Sequence, residues 1–210
     1  MFYQKKMRLL AVCAGAVLFA AGCSSTTKVT RVDADTQTDL SGKWNDTDVR
    51  IVCDSLIDDC LGAPRVAQFI RQYAAEHGGN PPTVIVGGFQ NDSSEHIDMS
   101  LIAKNMEIAI VNSGQLDFVA GGDTRNELRA ERQDQQANAS EETAAGLGRE
   151  TGANFMLTGA VKSIVDRAGD TTVRTYFVSA ELTNIETNTR LWMGQNNEIK
   201  KIIKQAKNKL

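Results

Sequence analysis

The stretch FMLTGAVKSIVDRAGDTTVRTYFVSAELTNIETNTRLWM, residues 155–193, decides the fold. Phe155, Leu157, Gly159, Val161 and Val165 alternate with more polar neighbours. Ala168-Gly169-Asp170 turns the chain, and Tyr176, Val178, Ala180 and Leu182 alternate again. A second turn over Glu186-Thr187-Asn188 leads to Leu191-Trp192-Met193. A period of two on short turns predicts an antiparallel meander with one face buried.

Upstream the period changes. Val49, Val52, Cys53, Leu56, Ile57, Cys60 and Leu61 recur at helical spacing behind Asn45 or Asp46 as cap, and Gly62 ends the run. Pro64 suits the first position of a second helix carrying Val66, Phe69, Ile70 and Tyr73, stopped by Gly78-Gly79. Thr83–Gly87 (TVIVG) is a short apolar run between breakers and reads as a buried strand. Asp98 caps a third helix, with Leu101, Ile102, Met106, Ile108, Ala109 and Val111 expected mostly inward and Gly114 at its end. Leu116–Val119 reads as a strand, Arg125 to Gln136 as a charged helix, and Ser140 to Gly152 as one more helix. Helices early and a meander late predict an α+β fold, with a mixed sheet and about four to five helices packed on it. Gly87-Gly88 and Gly121-Gly122 follow strands but lack the spacing of a phosphate loop, and read as turns.

The N-terminus has a different character. Lys5, Lys6 and Arg8 precede 13 uncharged apolar residues, Leu9 to Ala21, too few for a spanning helix and right for a signal-peptide core. Ala20-Ala21-Gly22-Cys23 then resembles a lipoprotein signal-peptidase site. Cleavage between Gly22 and Cys23 would free a cysteine that carries the lipid, and Ser24 in the next position points to the outer membrane. Residues 1–22 are therefore expected to be removed. Residues 23–43, rich in Ser, Thr and Asp, form a tether that meets the domain edge near Leu40. Residues 44–198 form the domain, and 199–210 a basic amphipathic tail, read as a helix carrying Ile199, Ile202, Ile203, Ala206 and Leu210.

Composition excludes several function classes. The 188 residues after position 22 carry 20 basic and 26 acidic side chains, a poor balance for general nucleic-acid binding. Two of the four cysteines, Cys13 and Cys23, belong to the leader and its lipidation site. Cys53 and Cys60 stand seven apart on one expected helix, too far along its axis for a disulfide, and read as buried thiols. Asp33, Asp35, Asp39, Asp46 and Asp48 match no calcium loop. The two histidines, His77 and His96, lack the pairing of a triad or zinc protease, and no nucleophile elbow or Walker loop is present. No catalytic residue, cofactor, metal or small-molecule substrate is expected, which points to a binding module.

Several motifs resemble the LpoB family of penicillin-binding protein activators. They are Asn91-Asp92-Ser93-Ser94-Glu95-His96-Ile97-Asp98, Ser113-Gly114-Gln115-Leu116-Asp117-Phe118-Val119, Leu128-Arg129-Ala130-Glu131 and Gly152-Ala153-Asn154-Phe155-Met156-Leu157-Thr158-Gly159, with Asp39–Asp46 upstream. The resemblance implies a fold similar to the N-terminal domain of TolB. It also implies an outer-membrane lipoprotein whose partner is a class A penicillin-binding protein. The best-known members carry a long Pro-rich tether. Here all three prolines lie inside the domain and the tether is short. A second reading keeps the domain type but changes the partner: an envelope-assembly or secretion accessory lipoprotein, akin to CsgG without its pore-forming strands.

Overall fold

The computed structural model describes residues 28–33, 36–146, 148 and 150–205. The expected leader, the Gly22–Cys23 site and residues 206–210 of the tail lie outside these. The chain divides into two units, Met1–Thr36 and Gln37–Leu210. In the first, the Thr36 N–H donates to Asp33 O at 3.0 Å.

The second unit is α+β. Its elements run α1 (Asp46–Gly62), α2 (Pro64–Glu76), β1 (Thr83–Asp92), α3 (Met99–Ser113), β2 (Asp117–Phe118), α4 (Gly122–Asn138), β3 (Phe155–Ala168), β4 (Thr171–Asn184), β5 (Arg190–Asn196) and β6 (Lys200–Lys204). The sheet order is β2-β1-β3-β4-β5, with β6 also on β4. β1 pairs parallel with β2 and β3, and the remaining pairings are antiparallel, so the sheet is mixed.

Local chemistry explains the ends. Asn45 caps α1 with a reciprocal box: its side chain accepts from the Asp48 N–H while the Asp48 carboxylate accepts from the Asn45 N–H. Pro64 opens α2, Asp98 caps α3, and Gly114 closes α3 at φ 65°. The β3–β4 hairpin turns at Gly169 with φ 60°. Val49, Val52, Cys53, Leu56, Ile57 and Cys60 on α1, with Ile102, Met106 and Ile110 on α3, cover one sheet face. That face supplies Val84, Phe155, Leu157, Val161, Tyr176, Val178, Ala180, Leu182 and Trp192. The Trp192 indole N–H donates to Asp59 Oδ2 at 2.9 Å, fixing β5 to the end of α1.

Four local expectations are corrected. Residues 199–204 are not helical: Lys200–Lys204 form β6 on β4. The strand wins because β5 reaches only the Val178–Thr183 half of β4, leaving the edge of Thr171–Thr175 away from β3 to be paired. Residues 140–152 show no helix among those described, only turns at 141–143 and 148. Gly146 and Gly148 inside that stretch each cost about 1 kcal/mol of helix propensity, and few apolar residues repay it. Gly87-Gly88 does not end β1 but sits at an irregularity between Val86 and Phe89, after which pairing with β3 resumes. A Cβ on Gly87 would lie 2.9 Å from the Met156 sulfur and from a Thr158 methyl, so glycine makes room for two neighbouring side chains. On α3, finally, Ile102, Met106 and Ile110 face inward while Leu101, Ile108 and Val111 are about half exposed. The helix is apolar around most of its circumference, so periodicity alone did not fix its rotation.

Candidate protein-docking surface

Alternation places half of each strand on the face away from α1 and α3. Register aligns these residues in rows: Met156 with Thr183, Thr158 with Glu181 and Met193, Ala160 with Ser179 and Gln195, Lys162 with Phe177, and Ile164 with Thr175. Val173 pairs with Ile202 on the same face. Four large apolar side chains are open here: Met156 at 38% exposure, Ile164 at 61%, Met193 at 64% and Ile202 at 65%. A solvated sheet face ordinarily carries polar residues. Large apolar groups at several positions of one such face make it a candidate contact surface. Gln90, Thr158, Ala160, Ser179, Glu181 and Met193 line a shallow groove of about 470 Å³ across its middle.

The rim is charged and paired. Arg190 Nε lies 2.9 Å from Glu181 Oε2, and Lys162 Nζ lies 3.9 Å from Asp92 Oδ2. The Thr158 hydroxyl also donates to Glu181 at 3.5 Å. Exposed pairs of this kind add little stability. They set both signs of charge among and beside the apolar side chains, a mixture compatible with a protein-binding patch.

A second cluster stiffens the half of the sheet that carries Ile164 and Ile202. Lys201 Nζ contacts Asp48 Oδ2 at 2.6 Å, Asp39 Oδ1 at 2.7 Å and the Lys43 carbonyl at 2.8 Å. Arg174 pairs with Glu95 and donates to Gly42 O at 3.1 Å. Glu95 Oε2 also accepts from the Tyr176 hydroxyl at 2.7 Å and the Trp44 N–H at 3.1 Å. The Trp44 and Tyr176 rings meet edge to face, 5.1 Å apart. The chain before α1 meets the domain edge through Asp39 and Gly42, while Leu40 is 93% exposed. Hydrogen bonding from Lys201 holds the Asp39 carboxyl below its usual range. Burial raises that of Asp48 and outweighs the same lysine. Burial, reinforced by Glu95, pushes the Tyr176 hydroxyl up.

His77 serves local structure, stacking on Tyr73 at 3.8 Å, with Nδ1 2.8 Å from the Tyr73 carbonyl. His96 is exposed at the entry to α3. Among the described residues no group of three or more His, Cys, Asp or Glu side chains could hold a metal ion. Sequence reasoning did not gather these residues into one face: Met193 entered only as part of a strand, and Ile202 as part of the expected tail helix. The signal was present in the other phase of the alternation, where Met156, Ile164, Phe177 and Met193 stand at positions a solvated face would fill with polar side chains.

One protein family matches this sequence over residues 48–198, and its description is peptidoglycan-synthase activator LpoB. The chain belongs to the LpoB family. That match contains all of α1 from Asp48, the complete β1–β5 sheet and the open face apart from Ile202. Among solved structures, the LpoB C-terminal domain from Escherichia coli is 15% identical, covers 75% of this chain and 99% of its own, and gives a TM-score of 0.43. The LpoB C-terminal domain from Salmonella enterica is 14% identical over 75% and 99%, at 0.41. Lipoprotein GNA1162 from Neisseria meningitidis is 15% identical over 61% and 88%, at 0.37. A search of curated protein sequences finds no match.

Proposed function

We propose that this LpoB-family chain is an outer-membrane lipoprotein, anchored by a lipid on Cys23, that binds and stimulates a class A penicillin-binding protein in peptidoglycan synthesis. The family match over residues 48–198 carries this reading. The open sheet face supports it, since an activator without chemistry of its own acts by contact. Such a protein stimulates only by preferring the synthase's active conformation, and a tenfold activation requires about 1.4 kcal/mol of preference. The 13 residues from Ser24 to Thr36 span at most ~45 Å when fully extended. Contact then occurs close to the anchoring membrane, and the synthase supplies the remaining distance. The test adds the purified chain to its cognate class A synthase and follows glycan polymerisation. A severalfold rise in rate supports the proposal, and no complex with no change in rate refutes it.

A further inference from the structure

Cys53 and Cys60 stand seven positions apart on the buried face of α1, 1% and 2% exposed. Both are free thiols in the folded domain. The Cys53 thiol donates to the Ile102 carbonyl at 3.7 Å, joining α1 to α3. Seven helical residues advance ~10.5 Å along the axis. A disulfide needs its Cα atoms within ~7 Å. The native helix and a Cys53–Cys60 disulfide therefore exclude one another.

In an unfolded chain nothing keeps the two thiols apart, and a loop this short closes within ~100 ns. The surfaces that cover them arrive late. α1 packs against α3, β4 and β5, so burial is incomplete until the meander has formed. During that interval the thiols are accessible, and in an extracytoplasmic compartment they meet disulfide oxidants.

We propose that Cys53 and Cys60 are a redox modification site of the unfolded chain alone, and that a dithiol reductase is the partner that returns the oxidised chain to its folding route. The proposal rests on the exported reading above. In the oxidising step the two thiols lose two protons and two electrons to the oxidant's disulfide, which leaves as two thiols. In the reverse step a reductase thiolate attacks one of the two sulfurs and expels the other. The second reductase thiol then resolves the mixed disulfide, so the reductase leaves oxidised and both cysteines are thiols again. Folding closes the site. Burial pushes both thiols up to about 12, which disfavours the reactive thiolate.

The test uses the full chain carrying Cys13→Ser and Cys23→Ser, in mild detergent, so that Cys53 and Cys60 are its remaining thiols. It is unfolded in guanidinium at low micromolar concentration, either reduced or oxidised with diamide, and then diluted. The reduced sample regains native far-ultraviolet dichroism. The oxidised monomer remains non-native until dithiothreitol restores it to the reduced level. Cys60→Ala refolds equally from both conditions. An oxidised chain that regains the native spectrum and cooperative unfolding with its disulfide intact by mass overturns the proposal, as does oxidative trapping of Cys60→Ala. In cells, alkylation trapping soon after synthesis reveals an oxidised monomer that accumulates when periplasmic dithiol reductases are removed. If that species is absent while the purified chain is still trapped, the reductase requirement is overturned, whereas the exported reading falls only if palmitate labelling fails.

Discussion

The Lys201 ammonium lies 2.6 Å from the Asp48 carboxylate and joins β6 to the first turn of α1, 153 positions earlier in the chain. Both side chains are nearly excluded from water, at 9% and 5% exposure. Removing one partner of a buried pair leaves the other charge without compensation. Lys201→Met is expected to destabilise the domain by about 3 kcal/mol, read as a shift in the guanidinium midpoint. Lys200→Met, on an exposed neighbour, is expected to change it by less than about 0.5 kcal/mol.

Gly159 lies in a row of small residues, paired with Ala180, which pairs in turn with Gly194. A Cβ at Gly159 would stand 2.6 Å from the Ser179 carbonyl and would collide with the Phe89 ring. The ring can move but the backbone carbonyl cannot. Gly159→Ala is expected to cost about 2 kcal/mol, whereas Gly62→Ala, with nothing within 4 Å, is expected to leave thermal unfolding nearly unchanged.

The contrast between those two glycines shows what the sequence made legible. Alternation in Phe155–Trp192 and the caps at Asn45, Asp98 and Gly114 are local signals, and each reappears in the structure. β6 was not legible, because the isoleucines of residues 199–203 suit a helix or a strand and the choice depends on an unpaired edge of β4 some 30 positions upstream. The rotation of α3 was also hidden, since an apolar helix does not reveal its inward side. The open face was half legible: its residues were visible as the second phase of the alternation, but only the positions of α1 and α3 decide which phase is covered. Whether Gly22–Cys23 is cut and acylated depends on recognition by enzymes, and it stands outside the described residues.

Glu150 accepts from Arg129 at 2.8 and 3.0 Å and from Arg132 at 2.9 Å, which ties the loop before β3 to α4. Hydrogen bonding from Arg129 holds the Glu150 carboxyl below its usual range. A lowered folded value contributes stability above the unfolded pKa of ~4.3 and loses it as pH falls through the lower folded value. Carboxyl carbon shifts followed by NMR are expected to place the Glu150 titration below that of an exposed glutamate. Arg129→Ala is expected to move it back toward the ordinary value.

Lipid attachment has its own test. Labelled palmitate is expected to enter the chain in cells, and Cys23→Ser is expected to abolish the label and release the protein from membranes. Cys53→Ala is expected to leave the label unchanged, because that thiol is buried in the domain core.

The central claim is that the sheet face away from α1 and α3 docks the synthase. The most direct measurement compares the wild-type chain with the Ile164→Lys, Met193→Lys double variant, recording affinity for the cognate class A synthase and the rate of glycan polymerisation. Both positions are more than 60% exposed, so the variant is expected to unfold within about 0.5 kcal/mol of wild type. Losing two apolar contacts of the docking face is expected to weaken binding at least tenfold, by about 1.4 kcal/mol or more, and to remove the stimulation. A stably folded double variant that binds and stimulates as well as the wild type would contradict the account.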